Sequence, residues 1–441
     1  MSLFTRPPSL FNHIYIPSIN LHLPKILNMQ NRYFLFVLCL IANSVALLAQ
    51  ESQKPANPEK PQLTLTGFVK ADAIFDSRQT VEAREGFLLL YPKNHVQDLL
   101  GNDMNSQGSF NQYAMTTRLT LKITGPDVLG AKAFALIESD FTGASNSENN
   151  SLRLRHAYFK LSWPSVSLLA GQYWHPLDIP EMIPSVLSLN TGAPFRSFSR
   201  QPQIRADFKF NKLNLVLAAT SQRDYINNGP SGQSYTYLRN SIIPNLYAQI
   251  NYADDFLFAG AGIDYKRLTP RLVTDSAFKA FEQLDCFSGI AFIRIKLKPV
   301  TIKAQAIYGQ ALNDHLMLGG FGVTTTEPLT NQRTYASLNY LSGWIGLNTN
   351  GTTWQFSLFA GYSKGFGAKD KITGPVYARD PDIAYTYRIS PMVSYIAGKF
   401  SIISEVEITT AAYGKPDSKY FVRDSEEVGN LRGTITGVYN F

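Results

Sequence analysis

Residues 431–441, at the C-terminus of the chain, read LRGTITGVYNF and alternate between two kinds of side chain. One set is Leu431, Gly433, Ile435, Gly437, Tyr439 and Phe441, and the other is Arg432, Thr434, Thr436, Val438 and Asn440. Successive side chains of a β-strand point to opposite faces, so this pattern predicts a strand with one apolar and one polar face. Antiparallel sheets that meet water on one face only are built from such strands.

The same alternation recurs along the chain upstream of this stretch. In residues 63–76, Leu63 and Val69 fall on one face while Lys70 and Asp72 fall on the other. Strands are predicted near 63–76, 112–124, 131–141, 152–162, 166–173, 203–210, 213–222, 244–252, 256–266, 286–298, 300–309, 334–348, 352–362, 384–396, 400–411 and 430–441. These sixteen segments each approach the length that a tilted strand needs to cross a lipid bilayer.

The connections between these strands alternate between short and long. The short ones are 125–130, 163–165, 211–212, 253–255, 299, 349–351 and 397–399, and the long ones are 77–111, 142–151, 174–202, 223–243, 267–285, 310–333, 363–383 and 412–429. Bacterial membrane barrels have short periplasmic turns and long extracellular loops. The sequence therefore predicts an all-β fold, a transmembrane antiparallel β-barrel of about 16 strands.

The N-terminal region does not share the strand pattern. Residues 29–49 read as a secretory signal peptide, with an Arg, an apolar core and small residues before the expected cut after Ala49. Residues 1–28 are interpreted as an extension upstream of the true start of the protein at Met29. Residues 50–62 are interpreted as a Pro-rich periplasmic lead-in and 63–441 as the barrel. Loss of residues 1–49 would remove three basic residues, lower the formal net charge from +8 to +5, and leave Cys286 without a disulfide partner.

Charged side chains follow the polar parity of the predicted strands, which must face the lumen because charge on the lipid face costs about 2–4 kcal/mol at the midplane. The candidate pore-lining residues on strands are Arg118, Arg153, Arg155, Arg205, Lys209 and Lys303. Over all the charged residues predicted to face the lumen, basic residues outnumber acidic ones such as Asp72 and Glu138, which favours anions. Arg153 and Arg155 share a parity with Phe159, and either a bulge or a register shift near His156 would reconcile them.

The long connection 174–202 differs from the others because it is apolar and rich in proline. Its apolar residues include Ile179, Met182, Ile183, Val186, Leu187 and Leu189. We expect it to fold into the barrel as a constriction loop, with its apolar side on the wall and Arg196 and Arg200 facing the passage. The alternative is an outer loop at a contact between subunits.

Three stretches resemble a known family: SLRLRHAYFKL at 151–161, LLAGQYWHPL at 168–177 and FSRQPQIRADF at 198–208. They are similar to Gram-negative outer-membrane porins of the dicarboxylate-type trimeric group. The resemblance implies a homotrimer, a basic constriction and small anionic or polar solutes. The C-terminal Tyr439 and Phe441 resemble the signal read by the outer-membrane barrel assembly machinery. The periplasmic N-terminal helix of some of these porins has no counterpart in residues 50–62.

Other classes of protein fit the sequence less well. A barrel hydrolase would need a base near a nucleophile. The four histidines after the expected signal peptide, His95, His156, His175 and His315, lack such a neighbour and lack metal-ligand spacing. No catalytic residue, metal or cofactor is predicted, and the alternating charges are not a nucleic-acid patch. A surface adhesin or structural barrel remains the main alternative to a porin for small anionic solutes.

Overall fold

The computed structural model describes residues 60–187 and 191–441; the expected signal peptide, the extension before it and most of the lead-in 50–62 lie outside these residues. Sixteen strands form the wall of the fold. They are β1 Gln62–Asp76, β2 in two pieces Ser109–Tyr113 and Arg118–Thr124, β3 Lys132–Asp140, β4 Arg153–Ser162, β5 Val166–Trp174, β6 Arg200–Phe210, β7 Leu213–Thr220, β8 Asn245–Ala253, β9 Leu257–Leu268, β10 Leu284–Lys296, β11 Val300–Gln310, β12 Arg333–Thr349, β13 Trp354–Ala368, β14 Ile383–Ala397, β15 Phe400–Pro416 and β16 Val422–Asn440.

Each wall strand pairs antiparallel with the strand before it in the sequence, and the sheet closes on itself. Closure is made by β16 on β1, in a register from Phe68 opposite Asn440 to Asp76 opposite Arg432. A closed sheet leaves no unpaired strand edge, which is required of a sheet surrounded by lipid. The prediction of a sixteen-stranded antiparallel barrel is confirmed.

Several short elements lie between the wall strands. The strands Gly319–Thr326 and Val376–Arg379 extend the wall sheet beyond β12, while Thr80–Ala83 with Leu88–Pro92 and Asn228–Gly229 with Gly232–Gln233 form separate hairpins. The helices are the α-helical turn Thr236–Arg239 and the 3₁₀ turns Asn146–Glu148, Pro180–Met182 and Leu312–His315. In the part of the chain that is described, none of them is long and apolar enough to cross a membrane.

The two ends of the barrel differ in their connections. At one end, called here the short-turn end, the strands are joined by residues 125–131, 163–165, 211–212, 254–256, 297–299, 350–353 and 398–399. At the other, the long-loop end, they are joined by 77–108, 141–152, 175–199, 221–244, 269–283, 311–332, 369–382 and 417–421. The inserted loop therefore spans 175–199 rather than 174–202.

The last connection is much shorter than the expected loop 412–429. The ladder of β15 and β16 continues through Ala412 opposite Glu427 to Pro416 opposite Val422, with one irregularity after Tyr413. Residues 422–427 carry four charges and show no apolar alternation, which concealed the strand. Strands that project beyond the lipid no longer need an apolar outer face, so the period-two signal fades there.

The alternation of side chains places the charges inside. On β16, Leu431, Ile435 and Tyr439 are exposed on the outer face, while Arg432 and Thr434 are buried inside. The parity conflict on β4 is resolved by a bulge. The β3–β4 ladder passes from Ser139–Leu154 to Glu138–His156 and leaves Arg155 as the extra residue.

The barrel interior is not empty. Three segments from the long-loop end fold into it: the hairpin 80–92, the inserted loop 175–199 and residues 311–318. Their apolar side chains, among them Phe87, Leu90, Met182, Phe195 and Leu318, are buried. Burying each large apolar side chain contributes about 1.5–3 kcal/mol, so these segments are held by an ordinary hydrophobic core.

The inserted segments cover one side of the lumen only. Inner side chains of β8–β15 are buried beneath them, such as Gln249, Ile290, Ile307, Phe359 and Ser390. We call these strands the filled wall. The inner faces of β2–β6 toward the short-turn end keep partly exposed side chains, and we call them the open wall.

Candidate functional site: a charged strip inside the barrel

The open wall presents a strip of polar and aromatic side chains that water can reach. Its members are Arg118, Glu138, Tyr158, Lys160, Tyr173, Arg205 and Asp207. Arg118 and Arg205 keep 26% and 19% of their side chains exposed. These residues are called here the open strip.

Both arginines of the open strip are held by neighbours that fix their direction. Arg205 donates two hydrogen bonds to Asp207 Oδ1, at 2.7 and 2.9 Å, from the same inner face of β6. Arg118 stacks on the ring of Phe68 at 5.0 Å and lies 3.7 Å from Glu138. A guanidinium has five donors, so one acidic neighbour leaves several of them available to a passing solute.

The inserted loop adds an acidic group near Arg205. Glu181 is exposed, and its charge acts on Arg205 and Tyr173 of the open strip and on Lys303 of β11. Sequence reasoning missed Glu181, Tyr158 and Tyr173. Nothing in the local pattern distinguished Glu181 from a solvated loop residue, because its position depends on how the loop packs.

Nearer the long-loop end lies a second group of charges, the arginine cluster: Arg153, Arg155 and Arg200 with Asp140, Glu138 and Asp224. Arg153 reaches Asp140 at 2.8 Å, Arg155 reaches Glu138 at 2.7 Å, and Arg200 reaches Asp224 at 2.7 Å. The three arginines are buried. Buried guanidinium groups require paired carboxylates, so these residues brace the lumen and present little surface to it.

Arg196 and Arg200 do not face the passage, contrary to the expectation for the inserted loop. Neither has any exposed surface. Arg196 is ion-paired with Asp178 of the same loop and donates to the carbonyl of Thr191 at 3.2 Å. Arg200 lies over Trp174 at 5.1 Å. The expectation was wrong because each arginine has a carboxylate partner inside the fold. Arg196 pairs with Asp178 and Arg200 pairs with Asp224.

The apolar side of the inserted loop packs on the filled wall. Leu177, Met182 and Phe195 contact a set of inner wall side chains that includes Phe292, Ile307, Trp344 and Phe359. A side chain at Gly361 would begin 2.4 Å from the Phe195 ring, so glycine at this wall position lets the loop approach. Leu189, which was expected on the apolar side of the loop, lies outside the described residues.

The two candidate lysines have different environments. Lys303 is partly buried and its Nζ donates to the carbonyl of Ile183, in the inserted loop, at 2.6 Å. Lys209 is exposed at the short-turn end of β6. It belongs to a group on inner faces near that end, the short-turn lysines: Lys122, Lys160, Lys209 and Lys296. Among the residues described, none of these four has a carboxylate within 4.0 Å.

The hairpin 80–92 is an inserted element within the connection 77–111, which was expected to be an outer loop. Two wall arginines hold its backbone: Arg388 donates to the carbonyls of Leu89 and Leu90 at 3.0 and 3.1 Å, and Arg432 to that of Phe87 at 3.1 Å. Arg388 also donates to the carbonyl of Ala193 at 2.9 Å, which joins both inserted segments. The apolar run FLLLYP at 87–92 was the available signal.

The C-terminal residues lie where barrel closure needs them. Tyr439 and Phe441 are 51% and 40% exposed, with Tyr439 on the outer face. The amide of Phe441 donates to the carbonyl of Gly67 at 3.1 Å, which ties the end of the chain to β1. The assembly-signal role of these two residues stays a prediction.

Within the described ranges, no group of three His, Cys, Asp or Glu side chains is placed to hold a metal ion. His175 and His315 are buried with ring centroids 4.6 Å apart, beside Asp314 and Lys266. These groups join the inserted loop, residues 311–318 and β9 in one buried polar network.

The architecture defines a class: a membrane-spanning barrel with loops folded into its lumen. Its solved structural neighbours include the outer-membrane channel DcaP of Acinetobacter baumannii, at 17% identity and a TM-score of 0.63, covering 87% of this chain and 98% of that one. The anion-selective porin from Comamonas acidovorans matches at 11% identity and a TM-score of 0.53, covering 87% and 100%. The chain has the fold of the outer-membrane porins. No protein-family model and no curated protein matches the sequence.

Proposed function

We propose that this protein is a porin of the Gram-negative outer membrane, through which small hydrophilic and preferably anionic solutes diffuse passively. One observation carries the proposal: a strip of charged inner wall stays open to water between the inserted loop and β2–β6. A barrel filled for structural purposes alone has no reason to leave Arg118 and Arg205 accessible on one wall. The resemblance to DcaP and to an anion-selective porin supports the same function.

Anion preference would arise mainly at the short-turn end. The open strip itself is nearly balanced, since Arg118, Lys160 and Arg205 meet Glu138, Asp207 and the facing Glu181. Three of the short-turn lysines, Lys122, Lys209 and Lys296, lie outside the open strip and add cations that have no carboxylate within ion-pair distance among the described residues. Positive charges at the rim of a narrow, low-dielectric pore raise the local concentration of anions and lower that of cations.

The remaining elements of the proposal rest on analogy with barrels of this kind. The short-turn end would face the periplasm and the long loops the cell exterior, with outer-membrane lipid around the wall. The protein would assemble as a homotrimer and enter the membrane through the barrel assembly machinery, with Tyr439 and Phe441 in its signal. We expect no enzymatic activity.

Single-channel recording under a salt gradient tests the proposal. Purified, folded protein in a planar bilayer should give stepwise conductance and a reversal potential of anion-selective sign. Cation selectivity would keep the channel but contradict the role of the basic residues. Absence of conductance from a folded, heat-modifiable barrel would favour a surface-binding or hydrolytic barrel, the two alternatives.

A further inference from the structure

A polar cavity of about 360 Å³ lies at the short-turn end, between the inserted loop and the filled wall. Its lining comprises Arg294 and Lys296 of β10, Thr301 and Lys303 of β11, Asn348 of β12, Ser185 of the inserted loop, and the turn residues Asp254 and Asp255. Three of these side chains are cations. The cavity lies on the filled wall and is distinct from the open strip.

Two of the cations oppose each other directly. Arg294 and Lys303 are paired residues of neighbouring antiparallel strands and point to the same inner face. Side chains at such positions lie about 5 Å apart at Cβ, and like charges there destabilise the sheet. Among the described residues, neither has a carboxylate within 4.0 Å. An anion between them would remove the repulsion.

The acidic residues at the rim do not neutralise this pair. Asp254 is committed to its own turn: it accepts from Lys212 at 3.1 Å, from Tyr252 at 2.8 Å and from the amides of Phe256 and Leu257. Asp255 is exposed. Glu181 of the inserted loop acts on Lys303 without forming an ion pair with it, so Arg294 and Lys303 stay without a carboxylate in direct contact among the described residues.

The Arg294 guanidinium has a donor without a partner among the described residues. The group lies over the Phe258 ring at 5.3 Å. Its Nε has no accessible surface and no hydrogen-bond partner. Planar guanidinium groups bind carboxylate and phosphate oxygens in pairs, and a buried unpaired donor is costly until such a partner arrives.

We propose that this cavity is a subsite for the carboxylate or phosphate group of an anionic solute, bound by Arg294, Lys303 and Lys296. The inference rests on the proposed passage of anions and gives it a stopping point beneath the inserted loop. Lys303 donates one of its three hydrogens to Ile183 and keeps two for the anion. The same lysine thus connects the bound group to the loop.

Equilibrium dialysis of the folded protein in detergent against labelled inorganic phosphate, and separately against succinate, tests the subsite. Wild type should bind at least one of them, and Arg294→Gln should weaken that binding about tenfold, the size of one charge-assisted hydrogen bond. Arg294→Lys keeps the positive charge but loses the paired donors of the guanidinium. Its affinity should lie between those of wild type and Arg294→Gln. The control Lys399→Gln removes an exposed lysine from the turn 398–399 at the same end of the barrel and should change binding less than twofold, about the effect of a screened distant charge.

The outcomes separate the subsite from the channel, because dialysis does not require conductance. Loss with phosphate alone, or with succinate alone, assigns the oxyanion and supports the subsite. No binding by wild type, or equal losses in Arg294→Gln and Lys399→Gln, overturns it even if the channel conducts. If the heat-modifiable electrophoretic mobility shows that Arg294→Gln does not fold, Lys296→Gln at the exposed mouth of the cavity replaces it. Unchanged binding in that folded variant overturns the subsite.

Discussion

The filled wall and the open wall come from the same repeating strand, yet they carry their charges differently. On the filled wall, Arg388 is 2% exposed and donates to backbone carbonyls of two inserted segments. On the open wall, Arg205 pairs with Asp207 along its own strand and remains accessible. Parity alone therefore identifies a lumenal arginine, while the inserted segments decide whether it braces the fold or meets a solute.

The largest expected effect is on the filled wall, at the packing of the inserted loop. Phe195→Ala removes a fully buried ring that packs against Phe359, at a centroid distance of 6.2 Å. We expect the free energy of unfolding to fall by about 3–5 kcal/mol, as for other buried Phe→Ala changes. Equilibrium unfolding in detergent measures it, with Phe281→Ala, 77% exposed, as the control. Equal effects of the two changes would mean that the loop is not packed on this wall.

Arg388→Met tests how the inserted segments are held. The change removes hydrogen bonds to Leu89, Leu90 and Ala193, and leaves Glu407, 3.8 Å away, without that cation. The free energy of unfolding should fall by about 3 kcal/mol and the single-channel current should become noisier, because buried acceptors and a buried acid each lose one of their partners. Arg423→Met, which breaks an exposed ion pair at 3.2 Å, is the control and should cost about 1 kcal/mol or less. Quiet current in Arg388→Met would contradict the bracing role.

On the open wall, a charge change should alter selectivity and spare stability. Arg205→Gln removes an accessible cation and leaves Asp207 unpaired in the strip. The ratio of anion to cation permeability should fall about threefold, while the free energy of unfolding changes by about 1 kcal/mol or less. Reversal potentials in a salt gradient measure the ratio. A ratio equal to that of wild type would exclude Arg205 from the conducting path.

The smallest expected effect concerns Glu181 of the inserted loop. Because its exposed carboxylate faces Arg205 and Tyr173, Glu181→Gln should raise the anion-to-cation ratio, by about twofold or less in physiological salt. The same reversal-potential measurement applies. A lower ratio would place Glu181 away from the path that ions take.

The wall could be predicted from the sequence because each strand carries its own signal. The period of two, the spacing of turns and the conflict at Arg155 followed from local residues, and all sixteen strands are present. The extension of β15 and β16 into the expected loop 412–429 could not be predicted, because strand residues outside lipid lose their apolar parity.

The interior was harder to predict, since it depends on contacts between distant residues. The apolar composition of the inserted loop was visible, but the pairing of Arg196 with Asp178 and of Arg200 with Asp224 was not. The hairpin 80–92 is held by Arg388 and Arg432, some 300 residues away in sequence. Such pairings carry no local pattern.

The most direct test of the difference between the two walls compares one residue from each during conduction. Both variants carry Cys286→Ser, so that the introduced cysteine is the one that reacts. Tyr158→Cys places a thiol on the open strip, and Ser363→Cys places one at a fully buried position of the filled wall. A negatively charged thiol reagent, added while single-channel current is recorded, should reduce the current of Tyr158→Cys and leave that of Ser363→Cys unchanged. Equal reduction in both variants, or reduction in Ser363→Cys alone, would contradict the assignment of the conducting path to the open wall.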